Sequence, residues 1–358
     1  MKHIFLTLLG LSLTLGLQAK QHDWENAEVT SINRLPSTST FISYDEGEAY
    51  FPLGHIESTN RFRLLDGKWN FCWYSDVSKR NPDFYKIDYD CTLWDKIDVP
   101  CSWQMRGYGI PIYVNIGYAI KKNYPFIEPK LTEGLPVGQY IRSFNVPDTW
   151  TGDDIYLRFD GVESAFYVWV NGKLVGYSED SRRTSMFDIT PYTNKGKNRV
   201  AVEVYRFSDG VYLEDQDGWR MSGIFRDVSV MAKPKLQIND ITVRTPLTDN
   251  YTKGTLWLDV DMKNHTQAAA TGTLEATLIA PNGYAVTTFS ESLAKMKSDS
   301  IQTIHLEQTI ANPLLWSCEC PNLYHLLLRS KDAQGNVREV VSQGNVREVV
   351  SQEVGFAK

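Results

Sequence analysis

From Phe62 onward the pattern of hydrophobic and polar residues predicts short β-strands, and at 139–146 hydrophobicity alternates with a period of two. No segment shows the longer period of a sustained amphipathic helix. The clearest element is a hairpin, because the segment 165–170 is followed by Asn171-Gly172 and a second short segment, 173–177. Asn-Gly favours the positive φ angles of a tight hairpin turn. Many short strands at this spacing are typical of a β-sandwich or jelly roll. The predicted strands in this part of the chain are 68–74, 139–146, 155–160, 165–170, 173–177 and 198–205.

A second pattern begins after Lys233-Pro234-Lys235, where the aromatic density falls and new alternating segments start. This part is on the order of 100 residues long, the size of an immunoglobulin-like sandwich. We therefore predict an all-β protein with an extended arm at 20–60, a jelly-roll β-sandwich at 61–233 and an immunoglobulin-like β-sandwich at 234–356. The predicted strands of the second sandwich are 237–243, 255–262, 272–279, 300–308 and 322–328.

The first residues have the pattern of a secretory signal peptide. Lys2 and His3 precede an apolar stretch at 4–17, and Ala19 lies where cleavage is expected. We predict that residues 1–19 are removed and that the protein is periplasmic or secreted. The apolar stretch is too short for a convincing membrane span, and the rest of the sequence has no transmembrane candidate. We therefore expect no membrane partner.

Composition adds three constraints. The net charge of -6 argues against nucleic acid as a partner, since that class of ligand needs a basic surface. The 10 Trp, 19 Tyr and 15 Phe suit a carbohydrate-handling protein as well as ordinary aromatic cores. Five cysteines are an odd count for an exported protein, and we interpret them all as structural or incidental. A disulfide between Cys91 and Cys101 is conceivable, but nothing in the sequence supports it.

The C-terminal part contains a duplication. Residues 334–342, QGNVREVVS, recur at 343–351. Because the repeat length is odd, a strand that continued through both copies would turn each side chain to the opposite face. We predict that one copy bulges, loops out or forms a surplus hairpin strand.

Acidic and aromatic residues are concentrated between Arg206 and Val228. Like charges at this density repel unless a cation, an arginine or a polar ligand accompanies them. A sugar is one such ligand, because its hydroxyls donate to carboxylates and its apolar face packs on aromatic rings. The alternative is that Asp217 simply forms an ion pair with Arg220 or Arg206. The carboxylates of this cluster are Asp209, Glu214, Asp215 and Asp217.

Three tryptophans, Trp103, Trp169 and Trp219, could also stack on a sugar. Tryptophans in strands usually pack in cores or domain interfaces, and we favour that interpretation for all three.

Long motifs in this sequence resemble one known family. They include Asp23-Trp24-Glu25-Asn26, Val99-Pro100-Cys101-Ser102-Trp103, Pro111-Ile112-Tyr113-Val114-Asn115, the segment 208–228 and Pro321-Asn322-Leu323-Tyr324. In this order they resemble the N-terminal portion of a glycoside hydrolase family 2 β-galactosidase. The resemblance implies a galactose-binding-like jelly roll followed by an immunoglobulin-like domain.

In that family a (β/α)8 barrel follows these domains and carries the chemistry. The sequence ends at Lys358, about where the barrel would begin. The family's two catalytic glutamates and its ligands for the catalytic magnesium therefore have no counterpart here. We expect this chain to be inactive alone, with no catalytic residue of its own.

The resemblance also implies binding residues. Asn115 and Asp217 match positions that bind the galactosyl group, and Asp217 additionally matches a sodium ligand. A second, structural site for Mg²⁺ is implied by a set of five positions, although Glu179 stands where the family usually has an amide. The alternative for this second site is an ordinary solvated acidic surface. The five positions are Asp23, Asn26, the carbonyl of Val29, Glu179 and Asp209.

Three hypotheses follow. The chain is the non-catalytic N-terminal part of a β-galactosidase, which hydrolyses terminal β-galactosides and contributes here one wall of the pocket. Alternatively, it is a stand-alone carbohydrate-binding module. The third hypothesis is a complementing fragment that assembles with a separate barrel-bearing chain. A homo-oligomer is also a possible assembly under these hypotheses.

Overall fold

The computed structural model describes residues 21–46, 48, 59–343 and 354–357. The predicted signal peptide at 1–19 lies outside the described residues. Within them the structure consists of strands and short 3-10 turns, which confirms the all-β prediction. The 3-10 turns are Asp23–Glu25, Val77–Lys79, Trp103–Arg106, Asp148–Trp150, Thr190–Tyr192 and Asp209–Tyr212. None of the described helices is long or apolar enough to cross a membrane.

The arm and the first sandwich contain the strands numbered up to β16. In chain order these are β1 (Ser31–Ile32), β2 (Ile42–Tyr44), β3 (Phe62–Leu64), β4 (Gly67–Tyr74), β5 (Asp95–Val99), β6 (Ile112–Val114), β7 (Val137–Val146), β8 (Asp154–Phe159), β9 (Val162–Glu163), β10 (Ala165–Val170), β11 (Lys173–Ser178), β12 (Ser185–Asp188), β13 (Gly196–Tyr205), β14 (Gly218–Arg220), β15 (Gly223–Ile224) and β16 (Val228–Lys233).

The first sandwich packs two sheets face to face. A seven-stranded sheet has the order β1-β11-β10-β13-β7-β4-β5, and a four-stranded sheet has the order β12-β8-β16-β3. Alternate residues of both sheets point into one core, in which Phe166 and Val202 of the larger sheet meet Leu157 and Val230 of the smaller one. Two short ribbons, β6 with β14 and β9 with β15, lie outside these sheets.

The predicted hairpin at Asn171-Gly172 is present. Asn171 has φ of 50° and Gly172 has φ of 81°, the left-handed conformation that this dipeptide tolerates. The turn joins β10 to β11, and the observed bounds of β10 are those predicted from the sequence.

The second sandwich contains the remaining strands. They are β17 (Leu236–Arg244), β18 (Leu247–Thr248), β19 (Lys253–Asn264), β20 (Ala270–Ile279), β21 (Ala285–Met296), β22 (Ser300–Ala311), β23 (Leu315–Trp316), β24 (His325–Asp332), β25 (Val337–Gln343) and β26 (Phe356–Ala357). One sheet joins β18, β17 and β22 to β19, and the other has the order β2-β25-β24-β20-β21. Leu256 and Leu258 of β19 pack against Leu326 and Leu328 of β24 in a separate core.

The arm pairs with both sandwiches. Its strand β1 adds to the edge of the seven-stranded sheet, where Ile32 lies opposite Tyr177. Its strand β2 pairs with β25 of the second sandwich, so the arm ties the two domains together. Sequence patterning indicated an extended arm but not these two pairings.

A buried polar junction also links the sandwiches. Asp154 of β8 is 2% exposed and accepts hydrogen bonds from Lys235 and, at 3.0 Å, from Gln237 Nε2. His265 Nδ1 lies 2.6 Å from Asp154 Oδ2, the same oxygen that accepts from Gln237. Because the three partners belong to the linker and the second sandwich, the junction holds the domains in one arrangement.

The duplicated segment is partly described. Strand β25 holds most of the first copy and pairs with β24 and β2, with one irregularity opposite Ser330 and Lys331. Apart from Gln343, the second copy lies outside the described residues, so the expected bulge, loop or extra strand stays a prediction.

All five cysteines are unpaired thiols. The conceivable bridge between Cys91 and Cys101 is therefore absent, in agreement with the lack of sequence support for it.

Candidate functional site

The acidic and aromatic segment contributes one strand of a two-stranded ribbon, β6 with β14. The antiparallel register places Gly218 opposite Val114 and Trp219 opposite Tyr113. Asn115 directly follows β6 and Asp217 directly precedes β14, so the two residues lie at the same end of the ribbon. The structure thus brings together the two residues that the sequence predicted to bind sugar.

Side-chain alternation sorts this ribbon into two faces. Tyr113 and Asn115 are two residues apart, as are Asp217 and Trp219, and all four are exposed. On the opposite face Ile112 joins a hydrophobic cluster with Trp24 of the arm and Val211. The ribbon is therefore fixed from beneath while it presents an amide, a carboxylate and two aromatic rings to solvent.

Asp217 has a specific partner across the ribbon. The Tyr113 hydroxyl donates a hydrogen bond of 2.8 Å to Asp217 Oδ1. This bond to a carboxylate raises the pKa of the Tyr113 hydroxyl, with a smaller contribution from partial burial. Tyr113 thereby orients the carboxylate and leaves its other oxygen available to a hydroxyl donor or a cation.

Trp219 differs from the other two tryptophans. Its side chain is 60% exposed, and its ring lies 5.6 Å from that of Tyr113. Trp103 is fully buried in the core, which confirms the packing interpretation for that residue, whereas Trp169 is half-buried and stacks on Tyr85. For Trp219 core packing is not observed, because the ribbon turns its ring outward, and burial in a domain interface stays a prediction.

The neighbouring carboxylates are occupied by protein groups. Glu214 accepts hydrogen bonds of 2.6 Å from both the backbone N–H and the hydroxyl of Ser181. Asp215 forms an ion pair with Arg220. Arg206 donates to the carbonyl oxygens of Ile110, at 2.7 Å, and of Arg220. Neither arginine pairs with Asp217, so the ion-pair alternative for that residue is wrong.

The positions matched to a structural metal site lie in the arm and beside it. The turn at Asp23–Glu25 packs against the turn at Asp209–Tyr212. Asp23 accepts a hydrogen bond from the Tyr167 hydroxyl, and Asn26 Oδ1 accepts one of 3.2 Å from the backbone N–H of Glu28. The backbone N–H of Val29 donates a hydrogen bond of 2.8 Å to the carbonyl of Asn26.

Glu179 and Asp209 form the buried part of this group. Burial raises the pKa of Glu179 to about 8 and also raises the pKa of Asp209, and the Glu179 carboxylate accepts a hydrogen bond from the Tyr177 hydroxyl. Asp209 Oδ2 is buried without a hydrogen-bond partner. Two touching carboxyls with one orphaned oxygen fit a hard cation such as Mg²⁺. However, no cluster of three or more acidic, His or Cys side chains with metal-binding geometry occurs in the described chain.

Exposed apolar side chains surround the ribbon. Ile116 follows Asn115 directly, and Leu213 lies close in sequence to the acidic cluster. Ile110 and Met105 add further exposed apolar surface before β6. Apolar surface of this kind beside a polar site is typical of a surface that another domain or chain covers.

Family models match almost the whole described chain. Residues 62–234 match the model described as "Glycosyl hydrolases family 2, sugar binding domain", and residues 236–356 match "Glycosyl hydrolases family 2". The chain belongs to glycosyl hydrolases family 2. It comprises the N-terminal sugar-binding and immunoglobulin-like domains of that family, as the sequence motifs predicted.

One curated relative is the β-galactosidase of Priestia megaterium (strain DSM 319 / IMG 1521), which is 39% identical over 324 residues. That match covers 89% of this chain and 31% of the relative, so the chain spans about a third of its length.

Solved structures of the family share the fold. Bacteroides uniformis β-glucuronidase 2 matches with a TM-score of 0.65 and 22% identity, over 79% of this chain and 32% of that one. A family 2 member from Bacteroides cellulosilyticus DSM 14838 matches with a TM-score of 0.61 and 21% identity, over 79% and 36% of the two chains. These likenesses establish the architecture and leave the sugar preference open.

Sequence reasoning missed Tyr113 as the partner of Asp217. The sequence held one indication of this contact. Tyr113 and Asn115 are two positions apart, as are Asp217 and Trp219, and residues with this spacing on a strand share a face. Only the pairing of β6 with β14 shows that the two pairs share a face.

Proposed function

We propose that this chain is the N-terminal, non-catalytic part of a β-galactosidase and that its ribbon forms one wall of the galactose pocket. The observation that supports this most strongly is the shared exposed face of Asn115 and Asp217. In the complete enzyme the reaction is the retaining hydrolysis of terminal β-galactosides, and the two bond-breaking glutamates belong to the barrel.

Each group on the ribbon has a role suited to a sugar. The Asp217 carboxylate accepts hydrogen bonds from hydroxyls, and the Asn115 amide both donates and accepts. Tyr113 is a positioning residue, since its bond holds the Asp217 carboxylate in place. Trp219 offers an exposed aromatic ring to an apolar sugar face or to the domain that covers the ribbon.

The ribbon favours a neutral sugar over a uronic acid. Its exposed side chains are Tyr113, Asn115, Asp217 and Trp219, and none of these four is a cation. The carboxylate of a glucuronide would be repelled by Asp217 at short range. A galactoside carries only hydroxyls and avoids this repulsion.

Two cations complete the proposal. Asp217 ligates Na⁺ together with groups of the barrel. Asp23, Asn26, the Val29 carbonyl, Glu179 and Asp209 hold Mg²⁺, which supplies positive charge between the arm and the buried acids. The support is the orphaned Asp209 oxygen and the oxygen-rich set of donors. We further propose that the protein is exported, on the strength of its first 19 residues.

A direct assay tests whether catalysis requires the barrel. The purified chain is incubated with o-nitrophenyl β-D-galactoside beside the Priestia megaterium enzyme as a positive control. We expect no turnover above buffer, because both required acids lie outside these two domains. Substantial, enzyme-concentration-dependent turnover would refute the assignment of the chemistry to a barrel.

A further inference from the structure

A second cleft lies on the outer face of the seven-stranded sheet. Its floor is formed by Trp169 of β10 and Glu203 of β13. The arm closes one side with Trp24, and the segment before β5 closes the other with Arg80 and Phe84. The cavity measures about 280 Å³ and is lined by different strands from those of the ribbon.

The aromatic walls of this cleft are held rigidly. Trp169 stacks on Tyr85 with ring centres 5.0 Å apart and planes 7° apart, and Phe84 meets it edge-on at 5.4 Å. Trp24 is stacked between His22 and Tyr205, each 4.2 Å away. Rings fixed in this way lose little further freedom when a ligand binds, which favours affinity.

The polar groups of the cleft form a neutral pair. Glu203 is buried and accepts from Arg80 Nε at 3.1 Å and from Gln139 Nε2 at 2.6 Å. Arg80 also donates to the carbonyl of Val77 at 2.8 Å. Because a guanidinium has five N–H donors, Arg80 retains donors for a ligand hydroxyl. Since the two charges cancel, the cleft is suited to an uncharged ligand.

We propose that this cleft binds one pyranose ring of a neutral glycan, as a sugar site separate from the ribbon. The half-buried ring of Trp169 accepts the apolar face of a sugar, and the partly exposed Arg80 donates to its hydroxyls. The volume is near the lower end, about 300 Å³, of small-molecule pockets, which limits occupancy to a single ring or a chain end. The site would hold the protein on a glycan independently of hydrolysis.

A substitution at the mouth of the cleft can block it and leave the core intact. Leu174 lines it and is 46% exposed, so Leu174→Arg fills the entrance without disturbing a core. Ile301→Arg is the matched control, because Ile301 is a 55% exposed strand residue of the second sandwich. Trp169→Phe is a second probe that keeps an aromatic ring but shrinks the wall. Urea unfolding midpoints confirm that each variant is folded.

Binding is measured by saturation-transfer NMR titration of the full chain with methyl β-D-galactopyranoside, methyl β-D-glucopyranoside and methyl β-D-mannopyranoside. We expect saturable binding of at least one glycoside that persists in Asp217→Asn and Ile301→Arg. Leu174→Arg should weaken it at least tenfold, and Trp169→Phe several-fold. Absence of saturable binding by all three glycosides would overturn the proposal. So would binding that Asp217→Asn abolishes and Leu174→Arg leaves unchanged, which would assign it to the ribbon.

Discussion

The docking of the arm depends on the absence of a side chain at Gly176. A Cβ atom at this position would lie 2.3 Å from the carbonyl oxygen of Ile32 and 2.7 Å from a ring carbon of Phe187. The Ile32 oxygen belongs to the backbone of β1, so it can retreat only if the arm moves away from β11. Gly176→Ala therefore tests whether the arm is held in the observed position.

The expected cost has two parts. Overpacking at a closely packed site costs about 1–3 kcal/mol. Displacement of β1 would also weaken the bonds of Asn33 Nδ2 to the Val175 carbonyl, at 2.9 Å, and of Arg34 Nη1 to the Glu179 carbonyl, at 2.8 Å. Each such bond contributes about 1 kcal/mol net. We therefore expect Gly176→Ala to lose about 3–5 kcal/mol of stability.

Urea unfolding followed by circular dichroism gives this loss. Limited proteolysis reports whether the arm is cleaved first. Gly218→Ala is the control, because a Cβ at Gly218 meets no atom within 4 Å, and its change should stay within about 0.5 kcal/mol. If Gly176→Ala unfolds at the same urea concentration as Gly218→Ala and its arm resists protease, the arm does not pack as described.

Two further changes test the junction and a buried acid. Asp154→Ala should cost about 3–5 kcal/mol in urea unfolding, because it leaves the buried Gln237 amide and the largely buried His265 of the second sandwich without their partner, whereas the exposed Asp148→Ala should be near neutral; equal effects would exclude the junction. Burial raises the pKa of Glu163 from 4.5 to about 7, so its stabilising contribution is present below pH 4.5 and is lost as the pH rises through 7. Relative to Glu163→Gln, the wild type should therefore lose up to about 3 kcal/mol between pH 4.5 and 8, and parallel pH profiles would contradict the assignment.

Local patterning predicted much of the fold. The hairpin at Asn171-Gly172 follows from two adjacent residues that tolerate positive φ, and β10 follows from a short run of aromatic and β-branched residues directly before that turn. Strand β21 was missed because most of its residues are exposed, so it lacks the buried alternate positions that reveal a strand. The pairing of β2 with β25 joins residues about 300 positions apart, and no local pattern encodes such a contact.

The candidate site, like the fold, could be predicted only in part from the sequence. The motifs placed Asn115 and Asp217 in the site through family resemblance, whereas residue type alone could not separate Asp217 from the other acids. The structure separates them, since Glu214 and Asp215 are bound by Ser181 and Arg220. The partner Tyr113 and the exposure of Trp219 both depend on tertiary pairing, which is why sequence reasoning anticipated neither.

The central claim is that the ribbon forms part of a galactose pocket. A chimaera tests it most directly, with residues 21–357 of this chain replacing the matching N-terminal third of the Priestia megaterium β-galactosidase. We predict that the chimaera hydrolyses o-nitrophenyl β-D-galactoside and that Asp217→Asn lowers kcat/KM about 100-fold, since two charge-assisted hydrogen bonds contribute about 3 kcal/mol. Asp299→Asn, at a side chain of the second sandwich that is 89% exposed, should leave kcat/KM unchanged. An active chimaera in which Asp217→Asn and Asp299→Asn give the same kcat/KM would contradict the account.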